Sequence, residues 1–82
     1  MTYDEIVGKL YDLLRAMVAE VPELHENMEL AVDLGLDSLA VMRLLEAVED
    51  EFDISIPLNV LSDVRTVKDF ALQLQHIVEK ES

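Results

Sequence analysis

Within Asp33-Leu34-Gly35-Leu36-Asp37-Ser38-Leu39, the hydroxyl of Ser38 stands between a carboxylate and an apolar residue, where an irregular segment gives way to helical periodicity. A serine there can do two things. It can cap the helix by accepting an N–H bond from the first turn, or it can serve as a reactive oxygen if other groups assist it. A serine–histidine triad would draw on His25 or His76, the only histidines. It would also need an oxyanion hole and a cleft, for which a small helical domain has little room. The chain has no cysteine, so it has no disulfide and no thiolate nucleophile, and any thioester chemistry requires an imported thiol. The two histidines have no metal-ligand spacing. The segment 33–46 lacks the alternating oxygen ligands of a calcium loop, and no Gly-rich phosphate loop occurs.

Three long amphipathic stretches must position this serine. Thr2 followed by Glu5 is a capping-box pattern, and Tyr3, Ile6, Val7, Leu10, Leu13, Leu14, Met17 and Val18 share one face at about 100° per residue. Val21-Pro22 is expected to end that helix, because the residue before proline is pushed out of the helical region. The connection from 20 to 36 shows no period. A segment this long inside a small domain is expected to have a task or to pack its own apolar residues. Gly35 just before the second helix points to a backbone angle that a side chain would disfavour.

Asp37 or Ser38 is expected to cap the second helix, which runs to about Phe52. Val41, Leu44, Leu45, Val48 and Phe52 form its core stripe, whereas Leu39 and Met42 fall on a flank with Glu46 and Glu49. Pro57 is expected to close this helix off. Ile54 and Ile56 alternate like a strand, but with no second strand to pair an extended connection is the better reading. Leu58 to Asp63 suits a single helical turn with Val60, Leu61 and Val64 inward. Thr66 with Asp69 repeats the capping pattern, and Val67, Phe70, Ala71, Leu74, Ile77 and Val78 make the third stripe. Lys80 suits the negative end of that helix's dipole. The expected fold is an all-α, four-helix bundle of three long helices and one short one, in a single domain spanning 1–82.

Composition narrows the partners. Of the 82 residues, 51% are apolar and the net charge is −12, the balance of a folded acidic domain rather than a disordered one. Twelve acidic residues and one basic residue, Arg43, lie between Glu20 and Val64. Nucleic acid and membrane surfaces are excluded as expected partners, since phosphate contacts need clustered Lys and Arg. No apolar run approaches the ~20 residues of a membrane span, and the first residues lack the basic start of a secretory signal. The expectation is a cytoplasmic monomer whose partners present Lys- and Arg-rich surfaces.

The stretch Asp33 to Leu39 resembles the attachment motif of acyl carrier proteins, whose core is Asp-Ser-Leu. The resemblance continues through Glu49-Asp50-Glu51-Phe52-Asp53-Ile54-Ser55-Ile56-Pro57 and Thr66-Val67-Lys68-Asp69-Phe70, and so covers nearly the whole chain. It implies that Ser38 accepts 4'-phosphopantetheine from coenzyme A through a separate, magnesium-using phosphopantetheinyl transferase. It also implies that the arm's terminal thiol then holds acyl groups as thioesters, and that the protein is not itself an enzyme. A helix start suits an attached phosphate, because its free N–H groups and dipole favour negative charge. Asp37 adds a like charge, and the resemblance assigns it to transferase or magnesium contact, with Leu39 completing the motif. Against this stands the plain reading of Ser38 as a helix cap, which the extended motif outweighs.

Leu39 and Met42 beside the attachment point, rimmed by acids, form a candidate docking patch. The competing reading is that Met28 or Leu61 covers them. Partner enzymes that load and process acyl groups are expected to place basic residues against Asp33, Glu46, Glu49 and Asp50, acids that a simpler reading leaves as a solvated face. Arg43 departs from the common fatty-acid carriers, which usually have an acid there, and favours a polyketide, peptide or related specialised route. It can equally pair with Glu46. Two alternatives remain. One is a peptidyl or aryl carrier loaded by an adenylating enzyme, although Leu36-Asp37-Ser38 is acyl-carrier-like. The other is an acidic helical adaptor with no prosthetic group.

Overall fold

A computed structural model describes residues 1–18 and 23–81, the last without its side chain. Helix α1 spans Tyr3–Met17, α2 Ser38–Phe52 and α3 Val67–Glu81, with a short 3₁₀ helix at Leu58–Asp63. No strand occurs among the described residues, only an isolated antiparallel bridge between Glu29 and Thr66. The expected four-helix, all-α architecture is therefore the one observed.

Each helix end has a local cause. At α1, the Thr2 hydroxyl accepts from Glu5 N–H while the Glu5 carboxylate accepts from Thr2 N–H, a reciprocal capping box. These bonds to Thr2 hold the Glu5 carboxyl below its ordinary range. The helix stops at Met17, with Val18 already extended. The expected stop at Val21-Pro22 lies outside the described residues. At α3, the Asp69 carboxylate accepts from both Thr66 N–H (3.0 Å) and Arg65 N–H (3.1 Å), and Asp69 N–H returns a bond to the Thr66 hydroxyl. The Thr66 N–H bond leads the causes that lower the Asp69 carboxyl below its usual value.

Helix α2 ends at Phe52, as expected, but not for the expected reason. Pro57 does not close it. Asp53 does, by adopting a left-handed conformation (φ 54°) four residues earlier, a position where Asp is among the few tolerated non-glycine residues. Both Asp53 N–H and Ile54 N–H turn back to the Glu49 carbonyl, which satisfies an acceptor that the helix end leaves open. The chain from Ile54 to Pro57 then runs without regular secondary structure and pairs with no strand, as expected of a connection.

The core is contributed by the three long helices, the segment before α2 and Ile56. Among the described residues, the largest fully buried side chains are Phe70, Ile6, Leu10, Leu14, Leu44, Leu74, Val48 and Val67. Burying each contributes about 1.5–3 kcal/mol before the entropy of ordering it is counted. The α2 stripe is narrower than the periodicity predicts. Leu44, Leu45 and Val48 are buried, whereas Val41 and Phe52 at its edges are half-buried. Val60, Leu61 and Val64 are half-buried as well, because a six-residue 3₁₀ helix lies over the bundle rather than inside it.

The irregular segment before α2 does pack its own apolar residues: Met28, Leu30, Leu34 and Leu36 are buried. Its backbone is tied to the start of α3. Leu30 N–H donates to the Arg65 carbonyl (3.0 Å), Val67 N–H to that of Met28 (3.0 Å), and Lys68 N–H to that of Glu26 (2.9 Å). The Tyr3 hydroxyl donates to the Glu26 carboxylate and ties the same segment to α1. The approach to Ser38 is thus a fixed platform, although it has no regular secondary structure.

Candidate functional site

The platform delivers the chain to Ser38 through two tight turns. Asp33 N–H and Leu34 N–H both donate to the Glu29 carbonyl, and the Asp33 carboxylate accepts from Glu29 N–H at 2.8 Å. Gly35 then takes φ +68°, a left-handed angle at which a side chain is strained even though the space around it is open. That reversal lets Leu36 turn inward, where it is buried, with its N–H on the Leu30 carbonyl (2.9 Å). The motif's alternation follows from this path: Leu34 and Leu36 anchor, while Asp37 and Ser38 are left outside.

Asp37, not Ser38, caps α2. Its carboxylate accepts from Ala40 N–H at 2.8 Å and its carbonyl from Val41 N–H at 2.9 Å. Ser38 is the first helical residue. It is exposed, and its hydroxyl makes no hydrogen bond among the described residues. The N–H groups of Ser38 and Leu39 also find no acceptor there, as the first positions of a helix must. The oxygen therefore stands free, with two unpaired donors and the positive end of the helix dipole beside it. A phosphodiester on Ser38 fits this geometry. Its charge would meet the free donors, and no buried contact would have to break.

Beside the hydroxyl lies an open groove of about 320 Å³, lined by Ala31, Leu36, Asp37, Ser38, Val41, Met42, Leu61 and Val64. Its floor is apolar and its rim carries Asp37 and Ser38. Leu61 and Val64 come from the 3₁₀ helix and the residue after it. Of the two expected covers, Leu61 lines this groove with Met42 and Met28 does not, and periodicity gives no sign that Val64 and Ala31 complete it.

The predicted docking residues separate into two sets. Leu39 (60% exposed), Arg43, Glu46 and Asp50 are all exposed. At about 100° per residue they lie within an arc of about 60° on the side of α2 away from the core. Met42 and Glu49 lie one flank over and are half-buried. Met42 is thus partly covered by the groove it lines with Leu61, rather than bare. The Glu49 carboxylate accepts from Ile56 N–H at 2.8 Å and so holds the extended segment against α2. Asp33 is exposed, but its carboxylate is occupied by Glu29 N–H. Arg43 does not pair with Glu46, and no carboxylate lies within 4.0 Å of it among the described residues.

Among the described residues there is no group of three or more His, Asp or Glu able to hold a metal ion, and no helix long and apolar enough to cross a membrane.

Comparison with known proteins places this geometry. The family model described as the phosphopantetheine attachment site matches residues 9–74. The mitochondrial acyl carrier protein of Saccharomyces cerevisiae is 33% identical over 72 residues, a match spanning 82% of this chain and 58% of that protein, less than two thirds of its length. The acyl carrier protein of Streptomyces coelicolor is 36% identical over 76 residues, covering 90% of this chain and 83% of that one. Among solved structures, a candidate acyl carrier protein from Mycobacterium tuberculosis superposes with a TM-score of 0.80 at 27% identity, over 87% of this chain and 96% of the other.

Proposed function

The chain belongs to the acyl carrier protein family, defined by its phosphopantetheine attachment site, and from that premise we propose that it carries acyl intermediates on a 4'-phosphopantetheine arm esterified to Ser38. The observation that carries this reading is the free Ser38 hydroxyl at the start of α2, beside two unpaired N–H donors and an apolar groove. The arm, transferred from coenzyme A, supplies the thiol that this cysteine-free chain lacks and holds cargo as thioesters. The chain's own residues do the rest. Leu34 and Leu36 anchor the approach, Gly35 reverses it, and the Asp37 cap leaves Ser38 outside the helix ladder. The unpaired N–H groups of Ser38 and Leu39 would favour the phosphate's negative charge.

On this reading the 82 residues act as one carrier domain without catalysis of their own, in the cytoplasm and as a monomer. Its partners are a phosphopantetheinyl transferase and the enzymes that load and process acyl groups of fatty-acid, polyketide or related specialised biosynthesis. They dock over Leu39 and Met42, with basic residues toward the acids at Asp33, Glu46, Glu49 and Asp50. The charge of −12 supports such partners.

The test is intact mass after incubation with coenzyme A, magnesium and a broad-specificity transferase. The wild-type chain gains a single phosphopantetheine, and Ser38→Ala gains none. A chain that keeps its mass under every competent transferase is an acidic adaptor instead. Supplying the loaded form with adenylating enzymes and with acyltransferases then separates a peptidyl or aryl carrier from an acyl carrier.

A further inference from the structure

The exposed side of α2 carries one charge of the wrong sign for a purely basic partner. Leu39, Arg43, Glu46 and Asp50 follow one another at spacings of four, three and four residues along about 16 Å of helix. All four are exposed. Arg43 is the only basic residue between Glu20 and Val64. The chain's other two arginines each hold a carboxylate: Arg15 on Asp12 at 3.4 Å and Arg65 on Glu29 at 3.2 Å. Arg43 holds none, although Glu46 lies one turn further along the same stripe. Among the described residues its guanidinium therefore has no ion-pair partner, and it stands between the apolar Leu39 and two acids whose side chains are also unengaged.

A partner that covers this stripe must answer all four residues at once. Cationic side chains set against Glu46 and Asp50 stand about one and two helical turns along the same face from Arg43. A uniformly basic surface would therefore desolvate like charges against each other, which is how interfaces reject wrong partners. The guanidinium's fixed fork of donors matches a carboxylate.

We infer that Arg43 selects among partner enzymes, favouring a docking surface that sets a carboxylate between an apolar recess for Leu39 and basic residues for Glu46 and Asp50. The inference rests on the carrier reading and names the chemistry of the partner at that same face.

The experiment uses the full chain and a broad-specificity phosphopantetheinyl transferase as the probe. Each Lys and Arg on the transferase's carrier-binding surface is replaced singly by Glu. Then kcat/KM is measured for loading of the wild-type carrier and of Arg43→Glu, whose helical circular dichroism and melting temperature are checked first. The informative quantity is the wild-type to Arg43→Glu ratio, because it isolates the pairwise coupling from general losses. The expected result is at least one transferase variant that raises this ratio about fivefold or more over the unmodified transferase, within the range of coupled charge pairs. The rise should shrink in 0.5 M salt. A ratio that stays below that threshold for every variant overturns the role of Arg43. Failure of the unmodified transferase to load the wild-type carrier at all would count instead against Ser38 as the attachment point, so the two failures are distinguishable.

Discussion

Asp37 has one observed duty and one proposed, and a single substitution would confuse them. Its carboxylate caps α2 through Ala40 N–H, while the family resemblance assigns it to contact with the transferase or its magnesium. A serine at the same position can accept the same N–H bond without the charge, since Asp and Ser are near-equal caps. Asp37→Ser is therefore expected to keep stability within about 0.5 kcal/mol, and Asp37→Ala to lose about 1 kcal/mol, both read from urea denaturation midpoints. Loading of Ser38 is expected to fall for both. If Asp37→Ser loads as fast as the wild type, the cap is its whole contribution.

Among elements, α2 is the one whose two ends do different work. Its start leaves donors free for a ligand, and its finish is stapled. Glu49 accepts Ile56 N–H through its side chain and the N–H groups of Asp53 and Ile54 through its carbonyl. Removing the carboxylate orphans a part-buried donor, so Glu49→Ala is expected to cost about 1–3 kcal/mol. Glu49→Gln retains an acceptor and should recover most of that, again by denaturation midpoint. The same geometry separates Glu49 from Glu46 and Asp50 in docking. A carboxylate with one oxygen already accepting from the backbone has fewer free acceptor positions and less freedom to turn toward a partner. Neutralising Glu49 should therefore slow loading less than neutralising Glu46 or Asp50.

At the scale of the molecule, the irregular segment before α2 must be held against both α1 and α3 for Ser38 to be presented at all. Tyr3 makes the tie to α1 through Glu26. Burial first, and the Glu26 carboxylate second, push the Tyr3 hydroxyl from 10.0 up to about 12. The folded form therefore keeps a proton there that the unfolded chain loses near pH 10. This tie contributes fully below pH 10, and its contribution falls as pH rises from 10 toward 12. Stability measured across that window should decline, and Tyr3→Phe should flatten the decline. A residual slope is expected from Tyr11, whose hydroxyl burial also raises. An unchanged slope would mean that the tie is not formed in solution.

The helices could be read from the residues alone, because the residues that make them are neighbours along the chain. The Thr2–Glu5 and Thr66–Asp69 boxes, the stripes of α1 and α3, and the glycine that turns left-handed before Ser38 are patterns a few residues long. The attachment motif was legible for the same reason. Which side chains are free to act depends instead on how the elements pack. The Glu49 carboxylate turns to an amide seven residues away, and Arg43 stays apart from Glu46. Met42 is half-covered because the 3₁₀ helix brings Leu61 and Val64 across from about twenty residues downstream. Periodicity reports the face a residue occupies on its own helix. What meets that face depends on contacts between distant segments, and those are settled only when the whole core closes.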